Sequence, residues 1–338
     1  MRILVTGGAG FIGSHLVRRL LGAGHCIVNL DALRYSGNLD NLRDVDSHAG
    51  YTFVKADICD EHIIGRIFDE HRPEGVINCA AETHVDRSIL EPSGFARTDV
   101  LGTATLLEAA RKVGVRRFIQ VSTDEVYGSV EHGFSTEADR LDPRSPYAAS
   151  KAGGDLLALS YFTTYRFPVS ITRGSNTYGP NQYPEKFIPL FVTNALDNEP
   201  LPLYGDGRYR RDWLSVYDHC RAIEHVFVHG DPGTVYNIGG GNERENIEVA
   251  QTILAWLGKP RSFIRHVQDR PGHDRRYAVD CSRIRTLGWV PEVNFDEGLR
   301  ATIEWYKEHD AWWRRIKSGE FRAYYLKAYG DRLQGGSA

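Results

Sequence analysis

Met1-Arg2-Ile3-Leu4-Val5-Thr6-Gly7-Gly8-Ala9-Gly10-Phe11-Ile12-Gly13 reads as a short apolar strand, a glycine turn and the start of a helix. It satisfies Gly-x-Gly-x-x-Gly from Gly8 and Gly-x-x-Gly-x-x-Gly from Gly7. Glycines there permit a tight turn, close approach of a pyrophosphate and tight helix–strand packing. The helix N-terminus adds free N–H groups and a favourable dipole for phosphate. The alternative is a turn kept for packing alone. Against it stands Asp31, which closes the second strand at the spacing of a ribose-binding acid. Gly7, Gly10, Phe11, Ile12, Gly13, Asp31 and Leu33 are therefore expected around a dinucleotide. Asp31 would repel a 2′-phosphate and so favour NAD, although Arg34 could accept that phosphate.

Downstream of the glycine turn, strands and helices alternate. Strands are expected at Ile3–Val5, Ile27–Leu30, Phe53–Lys55, Gly75–Asn78, Phe118–Val121 and Val169–Thr172. Helices are expected at Gly13–Leu21, Glu61–Asp69 and Thr98–Val113. Repeated β-α-β of this kind implies an α/β, Rossmann-type, doubly wound parallel sheet. After Thr172 the chain becomes rich in Gly, Pro, Asn and Tyr, with later helices near Asp218–His229, Asn246 and Asp296–His309. This implies a smaller, interleaved α/β C-terminal substrate domain. We expect residues 1–172 to form the NAD-binding domain, with 213–236 returning to it. Residues 173–212 and 237–330 would form the substrate domain, and 331–338 a disordered tail.

The bulk numbers exclude several classes. The 338 residues are 41% hydrophobic and 25% charged, with 41 basic and 44 acidic side chains. A net charge of −3 gives no surplus for nucleic acid. Five dispersed cysteines, with no Cys-x-x-Cys, fit a reduced cytoplasmic chain rather than a disulfide framework or a metal site. The N-terminus shows no signal peptide, and no apolar run approaches a membrane span.

Two further clusters carry chemistry. Thr123-Asp124-Glu125 follows the apolar run Arg117–Val121, at the strand end where open α/β sheets bind ligands. Neighbouring carboxylates with different surroundings can hold a proton on one and not the other. The alternative is a polar turn capping the strand. Tyr147 and Lys151 are i and i+4 on a helix opened by Pro146, so the ammonium is expected to lower the phenol pKa. The alternative for this pair is an exposed helix face. Asp57, beyond the third strand, is expected on the adenine side or as a helix cap.

Together these residues resemble the nucleotide-sugar 4,6-dehydratases of the extended short-chain dehydrogenase/reductase superfamily, from the glycine loop to about Trp312. Further matching segments are Ala80–Ser88, Arg173–Pro180, Pro184–Pro189, Leu201–Gly207, Arg211–Trp213 and Asp269–Asp274. The resemblance implies tightly held NAD, regenerated each turnover, and dTDP-glucose as substrate, with a UDP sugar as the alternative. It assigns catalysis to Thr123, Asp124, Glu125, Tyr147 and Lys151. Tyr147 takes the 4-hydroxyl proton as hydride leaves C4, supported by Lys151 and Thr123. Glu125 takes the C5 proton and protonated Asp124 gives its proton to the leaving 6-hydroxyl. To the cofactor wall it adds Ile58, Ala80, Ala81, Thr98 and Thr177, the last standing where relatives commonly have asparagine. Thr83, His84, Thr123, Glu125, Asn176, Lys186, Phe187, Pro202, Tyr204, Arg211, Asn246, Arg270 and His273 would meet the substrate. It also implies a homodimer through a four-helix bundle made from the Thr98–Val113 and Tyr147 helices. Rival readings are an epimerase or decarboxylase of the superfamily and a non-catalytic NAD-binding sensor.

Overall fold

The computed structural model describes residues 1–334. Its centre is a seven-stranded sheet in the order Val235–Ile238, Val169–Gly174, Arg117–Thr123, Gly75–Asn78, Arg2–Thr6, Cys26–Asp31, Tyr51–Lys55. Every neighbouring pair is parallel. The order reverses between Arg2–Thr6 and Gly75–Asn78, which opens a crevice beyond the strand ends. All six expected strands are present, and the seventh, Val235–Ile238, extends the sheet. Apolar side chains fill both faces: Leu16, Val17, Ile223 and Phe227 on one, and Ile64, Phe68, Leu106 and Phe118 on the other. Burial on both faces explains why the strands read as continuous apolar runs.

The expected helix Thr98–Val113 divides in two. Residues Ala96–Gly102 form a π-helical turn, and only Thr103–Val113 is α-helical. The wider turn buries Thr98 and Asp99 together. Such turns are frequent at functional sites and leave no mark on hydrophobic periodicity.

A second core holds Tyr178, Phe191, Trp213, Leu254, Tyr306 and Trp313. It lies with a three-stranded sheet, Glu243–Glu245, Arg210–Ser215, Asn176–Tyr178, and a parallel pair, Ile264–Val267 with Leu201–Tyr204. Strand Arg210–Ser215 belongs wholly to the small sheet and Val235–Ile238 wholly to the large one. The chain therefore crosses between the two parts at about Val216 and again after Ile238. Helix Val216–His229 packs on helix Phe11–Gly22. Of the tail expected at 331–338, helix Glu320–Gln334 takes in residues 331–334, and 335–338 lie outside the described residues.

Candidate active site

The crevice is lined by Gly7, Gly10, Phe11, Ile12 and Gly13 from the glycine turn, Asp31 and Arg34 from the second strand end, and Asp57 and Ile58 from the third. Ala80, Ala81, Thr83, Thr98, Tyr147, Lys151 and Lys186 complete most of the far wall. The helix beginning at Phe11 has no side-chain cap, so its N-terminal N–H groups face the crevice free. Gly7 has φ +67°, and a Cβ on it would come within 2.8 Å of the Ala80 backbone. A Cβ on Gly13 would lie 2.1 Å from Gly7 O and 2.7 Å from Gly8 Cα. Buried Thr98 Oγ1 has no protein partner. A glycine cradle, an uncapped helix start and an orphaned hydroxyl fit a dinucleotide. Gly13→Ala must displace backbone rather than a side chain, so it should yield protein that no longer retains NAD and melts lower. Wild-type cofactor content after gel filtration would contradict this.

Asp31 is buried, and burial raises its pKa against the N–H groups of Leu33 and Ala9 that it accepts, at 2.8 and 2.9 Å. Arg34 donates to Glu82 at 2.6 Å and to Asp57 at 2.9 Å. Two carboxylates therefore already engage the arginine that might have received a 2′-phosphate, which leaves Asp31 to set the preference for NAD. Asp57 also accepts the Cys59 N–H. Burial pushes its pKa up, but Cys59 and Arg34 hold it below the usual carboxylate range. The cap of the following helix is Asp60, not Asp57.

Strand Arg117–Thr123 ends in a 3-10 turn, Asp124–Tyr127, capped by Thr123 Oγ1 accepting the Glu125 N–H. Thr123 therefore does cap the turn, and of the two acids that follow, Glu125 lines the pocket adjoining the crevice, whereas Asp124 is buried and lines neither. Asp124 is 2% exposed and its Oδ2 has no partner. Burial first, then Glu125 and Asp212, push its pKa well above the ordinary carboxylate value, which favours the protonated form. Burial raises Glu125 too, but Arg270, Lys186 and Arg211 pull it back. The pair thus differs in the sense an acid and a base require.

Ser145 accepts the Ala148 N–H and Pro146 takes the first helical position, which starts helix Pro146–Tyr165 beside this turn. Tyr147 lines both the cofactor crevice and the adjoining pocket. Lys151 is buried and donates to Val121 O at 2.7 Å. The expected lowering of the Tyr147 pKa is reversed: burial, then Glu125 and Asp99, raise it well above the usual phenol value.

The second pocket is lined by His84, Glu125, Asn176, Lys186, Phe187, Pro202, Tyr204, Arg211, Asn246, Arg270 and His273. Arg211 is buried, donates to the carbonyls of Arg210 and Asp274, and stacks 4.3 Å from the Tyr277 ring. Lys186 donates to Thr83 O at 2.8 Å. Arg270 meets Asp86 at 3.4 Å and leaves its Nε unpartnered. Asn176 Oδ1 and Asn246 Oδ1 are buried without partners. Three cations with little carboxylate pairing, beside orphaned polar atoms, make a site for a charged, multiply hydrogen-bonding ligand.

The family profile described as GDP-mannose 4,6 dehydratase matches residues 4–302. A Streptomyces niveus protein named dTDP-glucose 4,6-dehydratase is 50% identical over 325 residues, covering 94% of this chain and 96% of that one. The chain belongs to the dTDP-glucose 4,6-dehydratase family. An Escherichia coli protein of that name is 45% identical over 95% of this chain and 98% of its own. The dTDP-glucose 4,6-dehydratase DesIV of Streptomyces venezuelae, solved with NAD and dTDP bound, superposes with a TM-score of 0.92. It is 50% identical over 94% of this chain and all of that one.

Four expected site residues lie off the pocket assigned to them, among them Thr123, which lines neither. Leu33, with φ +53°, packs on the sheet core and contributes its N–H to Asp31 rather than a side chain to the crevice wall. Thr177 lies off the crevice, its hydroxyl within 3.1 Å of Ser175 O and 2.8 Å of His219 Nδ1. Instead its carbonyl accepts from Gln182, a crevice residue. Thr83 lines the cofactor crevice, not the substrate pocket. Unforeseen lining residues are Gln182, Tyr183, Asp86, Glu185, Trp213 and Tyr329. Asp86, Glu185 and Trp213 stood inside matched segments and could have been named. Tyr329 comes from the last helix, whose tyrosines carry no local signal. Its neighbour Tyr324 stacks 4.2 Å from Arg87, which Tyr35 flanks at 3.9 Å.

Proposed function

We propose that this chain is an NAD-dependent hydro-lyase converting dTDP-glucose to dTDP-4-keto-6-deoxyglucose and water. The observation that carries the reading is the Asp124–Glu125 pair, one acid held protonated and the other held by three cations, beside a tyrosine shared by two pockets. NAD in the crevice would accept hydride from C4 and return it at C6. Tyr147 takes the 4-hydroxyl proton in its phenolate form, which the Thr123 hydrogen bond and the Lys151 ammonium favour against burial, Glu125 and Asp99. Glu125 removes the proton on C5, which the new ketone acidifies, and later returns it there. Asp124 gives its proton to the departing 6-hydroxyl, which leaves as water. The proton gained by Tyr147 balances the one Asp124 gives up, so both are reset without external redox. Arg211, Arg270 and Lys186 face the diphosphate, and Phe187 and Pro202 flank the nucleoside.

We assign the large sheet, with residues 216–238 returning to it, to cofactor binding, and residues 175–215 with 239–330 to the sugar nucleotide. We also place the chain in the cytoplasm as a homodimer. All five cysteines are free, and no helix among the described residues is long and apolar enough to cross a membrane. Leu101 and Leu156 are 61% and 60% exposed, on the two segments expected to form a four-helix bundle. Large apolar side chains left open on neighbouring helices favour a second copy. Leu101→Lys with Leu156→Lys should halve the mass seen by sedimentation velocity; an unchanged mass would remove this interface.

The activity is tested by incubating purified protein with dTDP-glucose and no added cofactor, following mass and proton NMR. Loss of one water with a new C6 methyl doublet is expected. Turnover of the UDP sugar alone would keep the chemistry and change the base. Inversion at C4, or release of carbon dioxide from a uronic substrate, would favour the rival enzymes.

A further inference from the structure

One buried carboxylate beside Tyr147 and Lys151 has no part in the chemistry above. Asp99 lies in the π-helical turn Ala96–Gly102 and is 2% exposed. Its Oδ2 accepts from the Ser150 hydroxyl at 2.6 Å and its Oδ1 from the Glu82 N–H at 3.1 Å. Ser150 sits between Tyr147 and Lys151 in the same helix, with its hydroxyl also 2.8 Å from Tyr147 O. The helix and the turn touch at glycines. A Cβ on Gly154 would lie 2.8 Å from Asp99 O, and one on Gly153 2.9 Å from Val100 Cγ2. That close approach is what brings the carboxylate to the catalytic pair.

The charges around it come from each neighbouring element. Lys151 faces Asp99 from the helix, and Glu82 faces it from the loop after Gly75–Asn78. Tyr147 feels Asp99 from the π turn and both Glu125 and Asp124 from the turn after Arg117–Thr123. An anion here offsets the Lys151 ammonium and opposes formation of a phenolate.

We propose that Asp99 is a positioning residue for the Tyr147–Lys151 pair, setting the helix through Ser150 and using its charge to raise the proton affinity of the Tyr147 oxygen that takes the 4-hydroxyl proton. The second half rests on the reading of Tyr147 as the group that takes the 4-hydroxyl proton. Asp99 itself is raised to about 6, by burial against the pull of Lys151, Ser150 and the Glu82 N–H. It is therefore an anion at neutral pH, though a reluctant one.

Asp99→Asn keeps the shape: its oxygen can accept from Glu82 and its amide can donate to Ser150. Tyr147 is followed directly, by NMR of the protein carrying carbon-13 at the phenol carbon of tyrosine, its signal assigned by loss in Tyr147→Phe. The Tyr147 midpoint should fall by about one unit in Asp99→Asn, and the acid limb of kcat should move down with it. Ser150→Ala, which keeps the charge, should lower kcat without lowering the midpoint. Because the folded pKa of Asp99 lies above its ordinary 3.8, its ionisation costs stability as pH rises towards about 6. The Asn variant should therefore gain melting temperature over wild type across that window and keep the gain above it. A midpoint that stays or rises, or no such gain, overturns the role of the charge. A lowered midpoint with unshifted kcat would uphold Asp99 and refute Tyr147 as the base.

Discussion

Asp124→Asn is expected to stop water loss while leaving sugar oxidation intact. The carboxyl is buried, its Oδ2 is unpartnered, and Glu125 and Asp212 both oppose its ionisation. These surroundings favour the protonated acid, and asparagine fills the same space with no acidic proton to give. Positioned acids and bases are worth roughly 10²–10⁴-fold in rate, so kcat should fall by about that factor. Tyr147 and Lys151 are untouched, so the near-ultraviolet absorbance of reduced cofactor should rise on mixing with dTDP-glucose and persist. In deuterated water Glu125 should still exchange the C5 proton. Glu125→Gln predicts a different pattern: loss of rate by a similar factor, reduced cofactor on mixing, and no deuterium at C5. If Asp124→Asn retained normal elimination, or if Glu125→Gln still exchanged C5, the roles of the two carboxyls would be wrong.

The placing of these acids at the strand end was legible because its signal is local. A strand end, a hydroxyl and two acids occupy three consecutive positions, Thr123 to Glu125. The glycine turn is local too: Gly7 and Gly13 are required by contacts within the turn and with Ala80, at the exit of the neighbouring strand Gly75–Asn78. Both signals are read from short windows, and they place a dinucleotide fold and an acid pair at the same sheet edge.

What stayed hidden is long-range. Thr177 reads as a cofactor neighbour in sequence, yet its hydroxyl is taken by His219, on a helix 42 residues away. Arg34 looks free to accept a phosphate until Asp57 and Glu82 are brought to it. Lys151 at i+4 from Tyr147 predicts a lowered phenol, but burial, with Glu125 and Asp99 arriving from other elements, reverses the sign. The π turn that delivers Asp99 is hidden because the apolar positions of Thr98–Val113 follow one helical period closely enough to mask an inserted residue. Electrostatics of a site depend on all its neighbours, whereas periodicity reports only the face that each element buries.

Tyr147→Phe should be the more complete lesion, because it acts before the others. Phenylalanine keeps the ring that packs edge-on against Phe95, so the fold should be retained. What is lost is a phenol oxygen on a residue that lines both the cofactor crevice and the second pocket and is assigned the 4-hydroxyl proton. Thr123 remains, but a hydroxyl that caps its own turn is a poor base. kcat should drop by roughly 10²–10⁴-fold. Unlike the Asp124 and Glu125 variants, this one should show no rise of reduced cofactor and no exchange at C5, since neither can precede the ketone. The double variant Tyr147→Phe, Asp124→Asn should then be little slower than Tyr147→Phe alone, because residues acting in sequence on one intermediate are not additive. A rise in reduced cofactor with Tyr147→Phe would mean that another group, with Thr123 the nearest candidate, accepts the first proton.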